Sequence, residues 1–292
     1  MEPVKRLYTW WRRPRKTVMG DYAQSLITIV IAAFIIRTWG FGLYQVPTCS
    51  METTMLVGER FFADKFSILF SKPKHGEIIS FNDPRFPYAA SGIKHLWQHY
   101  VWGPSNWTKR VIGVPGDHVK GVIEDGKPVV YRNGVKLNEP YLNKYPIIAV
   151  YTHNPLDIYT HRSYDPNKSY SEQPFYKLNE NDVFLGERLL ERFGKINILY
   201  PGTPAVDETG KILDEFDVKL GKNQYWAMGD NRLGSYDSRA WGPLEGSLIH
   251  GKIVFRIWSL DSDQSWWILD LLKHPIDFWK RIRWSRCIQF VH

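Results

Sequence analysis

The sequence predicts a mostly β protein with one N-terminal transmembrane helix, followed by a β core that carries an inserted β-rich cap subdomain. Three observations lead there. The run from Tyr22 to Trp39 reaches the lower length limit of a spanning helix and is apolar on every face. The segments after it are short, rich in Val, Ile, Phe and Tyr, and punctuated by Pro and Gly. One of them holds Asn133-Gly134 between apolar stretches, which suits a tight type I′ hairpin turn. At 292 residues the chain is long enough to bury a sizeable core.

Taken in order, residues 1–20 read as a basic tail on the cytoplasmic side and 21–43 as the anchor. Arg37 sits at the bilayer edge, where it can snorkel, beside an aromatic belt of Trp39, Phe41 and Tyr44. A cleaved signal peptide is the competing reading. It lacks a small-x-small site after the apolar run, where Arg37-Thr38-Trp39-Gly40-Phe41-Gly42 stands instead. The core is expected over 44–119 and 222–260, and the cap over 120–221. Strands are expected at Arg60–Phe66, Glu77–Phe81, from Lys109 on, at Tyr225–Met228 and at Gly251–Trp258. Residues 82–107 read as an aromatic loop with a helical piece near Ile93–Val101. Residues 261–292 are basic and aromatic. Within them 264–284 reads equally as a segment lying on the membrane or as a tail packed on the body, and Pro275 breaks any single helix there.

Charge supports a membrane setting. The net charge is +8, and residues 1–20 hold Lys5, Arg6, Arg12, Arg13, Arg15 and Lys16 against Glu2. Residues 273–292 hold Lys273, Lys280, Arg281, Arg283 and Arg286 against Asp277, so the middle of the chain is close to neutral. A nucleic-acid-binding body would carry its basic charge on the fold, so no nucleic-acid partner is expected. Basic ends and 13 Trp residues point to a lipid bilayer instead. Cys49 and Cys287 make no disulfide framework.

Three stretches carry candidate chemistry. The first is Tyr44 to Met55, where Ser50 follows a rigid Val46-Pro47 step just beyond the anchor. A serine hydroxyl needs a base to become a nucleophile. None of the nine histidines lies in a recognisable catalytic frame. His95 and His99 have metal-pair spacing, but no third ligand is evident, and no metal is expected. The second stretch opens at Lys109. A free lysine is neutral in only about one molecule in 2,500 at pH 7, and burial can lower its pKa by several units. Strand alternation lets Lys109 face one site while Arg110 faces another. By position alone, an edge lysine in water is the simpler reading. The third stretch, Gly229 to Arg239, sets Asp230, Arg232, Asp237 and Arg239 beside Ser235 and Ser238. Such a set forms either a buried paired scaffold or a charged surface turn.

In this order the three stretches resemble the bacterial type I signal peptidases, membrane-bound Ser-Lys endopeptidases. Gln45-Val46-Pro47-Thr48-Cys49-Ser50-Met51 resembles the nucleophile box, and Asp64-Lys65-Phe66 the short motif after it. Lys109 to Asp117 resembles the base box, and Gly229 to Gly242 the last box. The resemblance implies Ser50 as nucleophile, Lys109 as general base and Ser235 as the group that holds the lysine amine. Asp237 and Arg239 would brace the site. Thr48 and the Ser50 N–H would form the oxyanion hole. Tyr44, Val46, Pro47, Met51, Met55, Trp107 and Thr108 would line pockets for small residues at −1 and −3. The implied substrates are signal-peptide-bearing preproteins, bound extended near the export machinery at the bacterial inner (plasma) membrane, with the catalytic domain outside the cytoplasm and no cofactor.

The chain departs from the family pattern in places. Glu52-Thr53-Thr54-Met55 replaces the usual Pro-Thr-Leu, so a looser turn is expected after Ser50. Thr108 and Trp107 are more polar and larger than usual, and Thr48 replaces serine. Two other readings remain: a Ser-Lys maturation peptidase for a dedicated substrate, such as a conjugation component, and an inactive membrane-bound peptide-binding scaffold.

Overall fold

The computed structural model describes residues 18–100, 104–151, 158–163, 195–207, 209–262 and 266–291. Most of the expected basic tail and the middle of the expected cap lie outside them. The chain enters through helix α1 (Val18–Ile35), whose winding widens over Ile36–Gly40. The stretch Tyr22–Gly40 is long and apolar enough to cross a membrane, and none of it is buried against the protein. Helical winding ends at Gly40, whose carbonyl accepts from the Lys65 and Phe66 N–H groups. Strand β1 (Phe41–Gln45) starts at once and pairs with β2 (Glu59–Asp64), Phe41 opposite Asp64 and Tyr44 opposite Phe61. The expected belt residues Phe41 and Tyr44 are therefore strand residues, because their backbone groups find partners on β2.

The main sheet has eight strands, all pairs antiparallel. It adds β3 (Ile78–Asn82), β4 (Asn106–Gly113), β12 (Gln224–Met228), β13 (Leu244–Glu245), β14 (Ile249–Ser259) and β15 (Gln289–Phe290). Along the sheet the order is β1-β2-β14-β3-β4-β12-β13, with β15 on β14. Chain segments about 100 residues apart, β4 and β12, thus become neighbours. Two apolar clusters fill this region. Ile79, Phe81, Val111, Tyr225 and Ala227 belong to one, and Val46, Met51, Met55, Phe61 and Ile253 to the other.

Between β4 and β12 lie two smaller sheets. Strands β5 (His118–Glu124), β6 (Lys127–Arg132), β7 (Val135–Lys136) and β11 (Phe216–Lys219) form one. Strands β8 (Ile147–Tyr151), β9 (Ile158–Ser163) and β10 (Lys195–Leu199) form the other. Asn133 and Gly134 both have positive φ, 52° and 80°, as a type I′ turn requires. The helical piece in the aromatic loop is α2 (Gly92–Tyr100).

The C-terminal segment packs on the body and also shows an apolar outer side. Helices α3 (Ser238–Trp241), α4 (Trp267–Lys273) and α5 (Pro275–Lys280) complete the set, α5 starting at the expected break. Phe278 is buried, and its ring meets those of Trp258 and Trp267. Trp266, Leu272, Ile276, Trp279 and Trp284 stay exposed.

Candidate active site

Ser50 lies in a single buried turn, Cys49–Met51, that follows β1. Two kinds of restraint hold this turn. Asn231 donates its backbone N–H to the Ser50 carbonyl at 3.1 Å and its side-chain amide to the Cys49 carbonyl at 3.0 Å. Gly229 permits this approach. A Cβ there would stand 2.4 Å from the Ser50 carbonyl oxygen and 2.3 Å from Ser235 Oγ. On the other side, Thr54 donates to Asp230 at 2.5 Å, and Arg256 donates to the Thr54 carbonyl at 2.6 Å. Arg286 donates to the Thr53 and Thr54 carbonyls, and both arginines bind the buried Glu59 carboxylate. The turn expected to be loose is instead tied by groups from three distant parts of the chain.

Strand β4 supplies the lysine. Alternation places Lys109 and Arg110 on opposite faces. Lys109, 5% exposed, donates its amine to Ser50 Oγ at 2.9 Å. Arg110, 2% exposed, forks onto both oxygens of Asp230 at 2.8 and 2.7 Å and reaches the Gly76 carbonyl. Burial is the largest influence on Lys109 and lowers its pKa to about 8, although the Asp237 carboxylate pulls the other way. Lys109 is therefore no edge lysine in water.

The third stretch is a buried scaffold, not a surface turn. Arg239 binds Asp237 through Nε and Nη2 and, through Nη1, Asp214, a partner from outside the stretch. Asp237 also accepts the Gly229 N–H at 3.0 Å, and Ser238 Oγ accepts the Ala227 N–H at 2.9 Å. Burial alone would raise the Asp237 carboxyl. The Arg239 charge and its hydrogen bonds outweigh that and hold it below the usual carboxylate range. Arg232 pairs with Glu139. Ser235 departs from expectation. Its Oγ is shielded from water and has no hydrogen-bond partner among the described residues, while the Lys109 amine is directed to Ser50.

Thr48 Oγ1 lies 3.3 Å from Ser50 Oγ, at the exposed mouth of the turn. Tyr44 packs against the cluster that contains Val46, Met51 and Met55, and the two methionines are almost wholly buried there. Pro47 is exposed and Thr108 half-buried. Trp107 packs instead on the other cluster, near Phe81 and Tyr236, so the structure does not bring all seven pocket candidates together. His95 Nδ1 sits 2.7 Å from the Ala89 carbonyl and its ring faces His99. No group of His, Cys, Asp and Glu suited to a metal occurs among the described residues. Sequence reasoning missed the roles of Asn231, Glu59, Arg256 and Arg286. Only Asn231 had a local signal, its place in the polar cluster.

A buried serine hydroxyl in contact with a buried lysine amine, on a fold dominated by antiparallel sheet, is an arrangement suited to nucleophilic chemistry. The model of the family described as Signal peptidase, peptidase S26 matches residues 19–258, and the chain belongs to that family. Membership makes it a serine endopeptidase of the signal peptidase I type, and signal-peptide removal its activity. A signal peptidase I from Buchnera aphidicola subsp. Baizongia pistaciae (strain Bp) is 30% identical over 83% of this chain and 77% of its own. Another, from Buchnera aphidicola subsp. Acyrthosiphon pisum (strain APS), is 27% identical over 86% and 79%. A probable signal peptidase I-2 from Synechocystis sp. is 25% identical over 84% and 76%.

Proposed function

We propose that the chain cleaves signal peptides by a Ser50–Lys109 dyad, through an acyl-serine. The observation that carries this reading is the 2.9 Å contact between Lys109 Nζ and Ser50 Oγ in a buried setting. With its pKa near 8, about one lysine in ten is neutral at pH 7. Neutral Lys109 takes the Ser50 proton as Oγ attacks the scissile carbonyl carbon. The Ser50 N–H and the Thr48 hydroxyl face the oxyanion that forms. The C–N bond then breaks, and Lys109 returns its proton to the leaving amine. Lys109 next takes a proton from water, the hydroxide attacks the acyl carbon, and Ser50 Oγ leaves with that proton. Ser235 has a hydroxyl to offer the amine once the proton has moved to nitrogen. Asp237 and Arg239 fix the loop behind it.

Two open strand edges suit an extended substrate. Among the described residues β1 pairs only with β2, and the first half of β4 pairs only with β3. A signal-peptide segment adds its backbone there, with small side chains at −1 and −3 toward Tyr44, Val46, Pro47, Met51, Met55 and Thr108. Trp107 contributes as an outer wall. Helix α1 spans the membrane with the basic N-terminus in the cytoplasm, and the catalytic core, split around a cap over 120–221, works on the other side near the export machinery.

The test is cleavage of a preprotein with an Ala-x-Ala site by the wild type, Ser50→Ala and Lys109→Ala. Both variants are expected to be inactive while still binding the precursor. Turnover surviving in either one removes the dyad.

A further inference from the structure

A cavity of about 370 Å³ opens where α1 meets the sheet, within the size range of small-molecule sites. Arg37 and Trp39 come from the end of the helix, Lys65 from the end of β2, Asn106 from β4 and His250 from β14. No Asp or Glu lines it. The Lys65 amine donates to the Arg37 backbone carbonyl at 3.0 Å, and both cationic residues line the cavity. Neither pairs with a carboxylate among the described residues. The nearby Asp64 directs its Oδ1 to the Ser67 N–H instead. Burial, and then the like charge of Arg37, push the Lys65 amine down, and the opposite charge of an anion in the cavity acts against both. His250 is held neutral by burial and adds no charge, its ring nitrogens facing Tyr44, Ser80 and Asn106.

The rim of the cavity names the kind of anion. Trp39 and Leu69 line the cavity and are exposed, and Phe66 and Phe70, next to Lys65 and Leu69 in the chain, are exposed as well. The Phe66 and Phe70 rings pack at a tilt, with centroids 5.1 Å apart. A soluble anion has no use for such a rim, whereas an amphipathic one needs both parts. The end of an apolar helix also sets this site at headgroup depth.

We propose that the cavity is a headgroup site for an anionic phospholipid. Arg37 and Lys65 hold the phosphate, and the acyl chains lie along Leu69 and Phe70. The inference rests on the reading of α1 as membrane-spanning. A lipid seated there ties the helix end to β1, the strand that leads to Ser50, and so fixes the height of the site above the bilayer.

The test has two arms, both on the full chain. Flotation with vesicles of phosphatidylcholine alone checks the anchor. Titration of the detergent-solubilised protein with phosphatidylglycerol or phosphatidylcholine, read by native mass spectrometry, checks the site. Wild type is expected to float, and to bind phosphatidylglycerol more tightly than phosphatidylcholine. Arg37→Gln is expected to weaken phosphatidylglycerol about fivefold, and Arg37→Gln with Lys65→Gln about 30-fold, with phosphatidylcholine unmoved. Cleavage of a soluble peptide by Arg37→Gln should stay at the wild-type level, which shows that the variant is folded. Equal affinity for the two lipids, or an unchanged preference in the double variant, overturns the site and leaves Lys65 as a cap on the helix end. Release of bound phosphatidylglycerol by equimolar inorganic phosphate also overturns it, in favour of a soluble anion. A chain that fails to float with phosphatidylcholine alone overturns the anchor, and the site with it.

Discussion

Lys109 and Arg110 are neighbours on one strand, both buried, and the fold treats them in opposite ways. Arg110 meets a carboxylate in a two-bond fork and a backbone carbonyl besides. Lys109 meets a hydroxyl. A buried cation with a matched anion keeps its charge. One without such a contact sheds its proton more easily. The residue types suit these fates, since a guanidinium stays protonated in almost any setting while an ammonium does not. One residue step along β4 therefore separates a structural charge from a proposed base.

Substitutions on either side of this pair test the difference between the two residues. The largest effect is expected at the dyad: Ser50→Ala or Lys109→Ala should lower kcat by about 10⁴-fold or more, measured on a preprotein under single-turnover conditions. A smaller loss in Lys109→Ala would mean that another group takes the proton. Next comes the Arg110 side. Asp230→Ala strands a buried guanidinium and should cost about 3–5 kcal/mol of stability by denaturant unfolding. If stability hardly changes, Arg110 is not a structural charge and the contrast with Lys109 collapses. Thr48→Ala should lower kcat by about 10²-fold with little change in KM, and Thr48→Ser should restore most of it. Equal KM and kcat effects would assign Thr48 to binding instead. The smallest effect is expected from Asn231→Ala, which removes the side-chain bond to the Cys49 carbonyl and the one accepted from the Asn143 amide but keeps the backbone bond to Ser50. About 1 kcal/mol of stability and a few-fold of kcat should go with it.

Much of this site was legible in the chain because its signals are local. The β4 alternation separates Lys109 from Arg110 without any structure. Asn133-Gly134 marks its own turn. Asp237 and Arg239 sit close enough in sequence to suggest a pair. What was not legible depends on distance along the chain. Arg256 and Arg286 reach Glu59 from 197 and 227 residues away, and no window of sequence joins them. For that reason the turn after Ser50 looked loose from its own residues and is tied in the fold. The extra partner of Arg239, Asp214, lies beyond the motif for the same reason. The start of β1 was hidden because Phe41 and Tyr44 suit a membrane interface as well as a strand. Ser235 shows a different limit. A motif singles out the residue, but the hydrogen bond expected of its hydroxyl is not made among the described residues.

In the proposed mechanism, burial brings Lys109 within reach of neutral pH as a base. The pH dependence of kcat/KM on a small peptide substrate tests it most directly. The neutral amine is the active form, so activity is low when the lysine is protonated. Log kcat/KM should rise by one per pH unit up to about 8, where Lys109 titrates, and level off above it. A rise that continues toward the ordinary lysine value near 10.5, or a profile already flat at pH 6, would contradict the account.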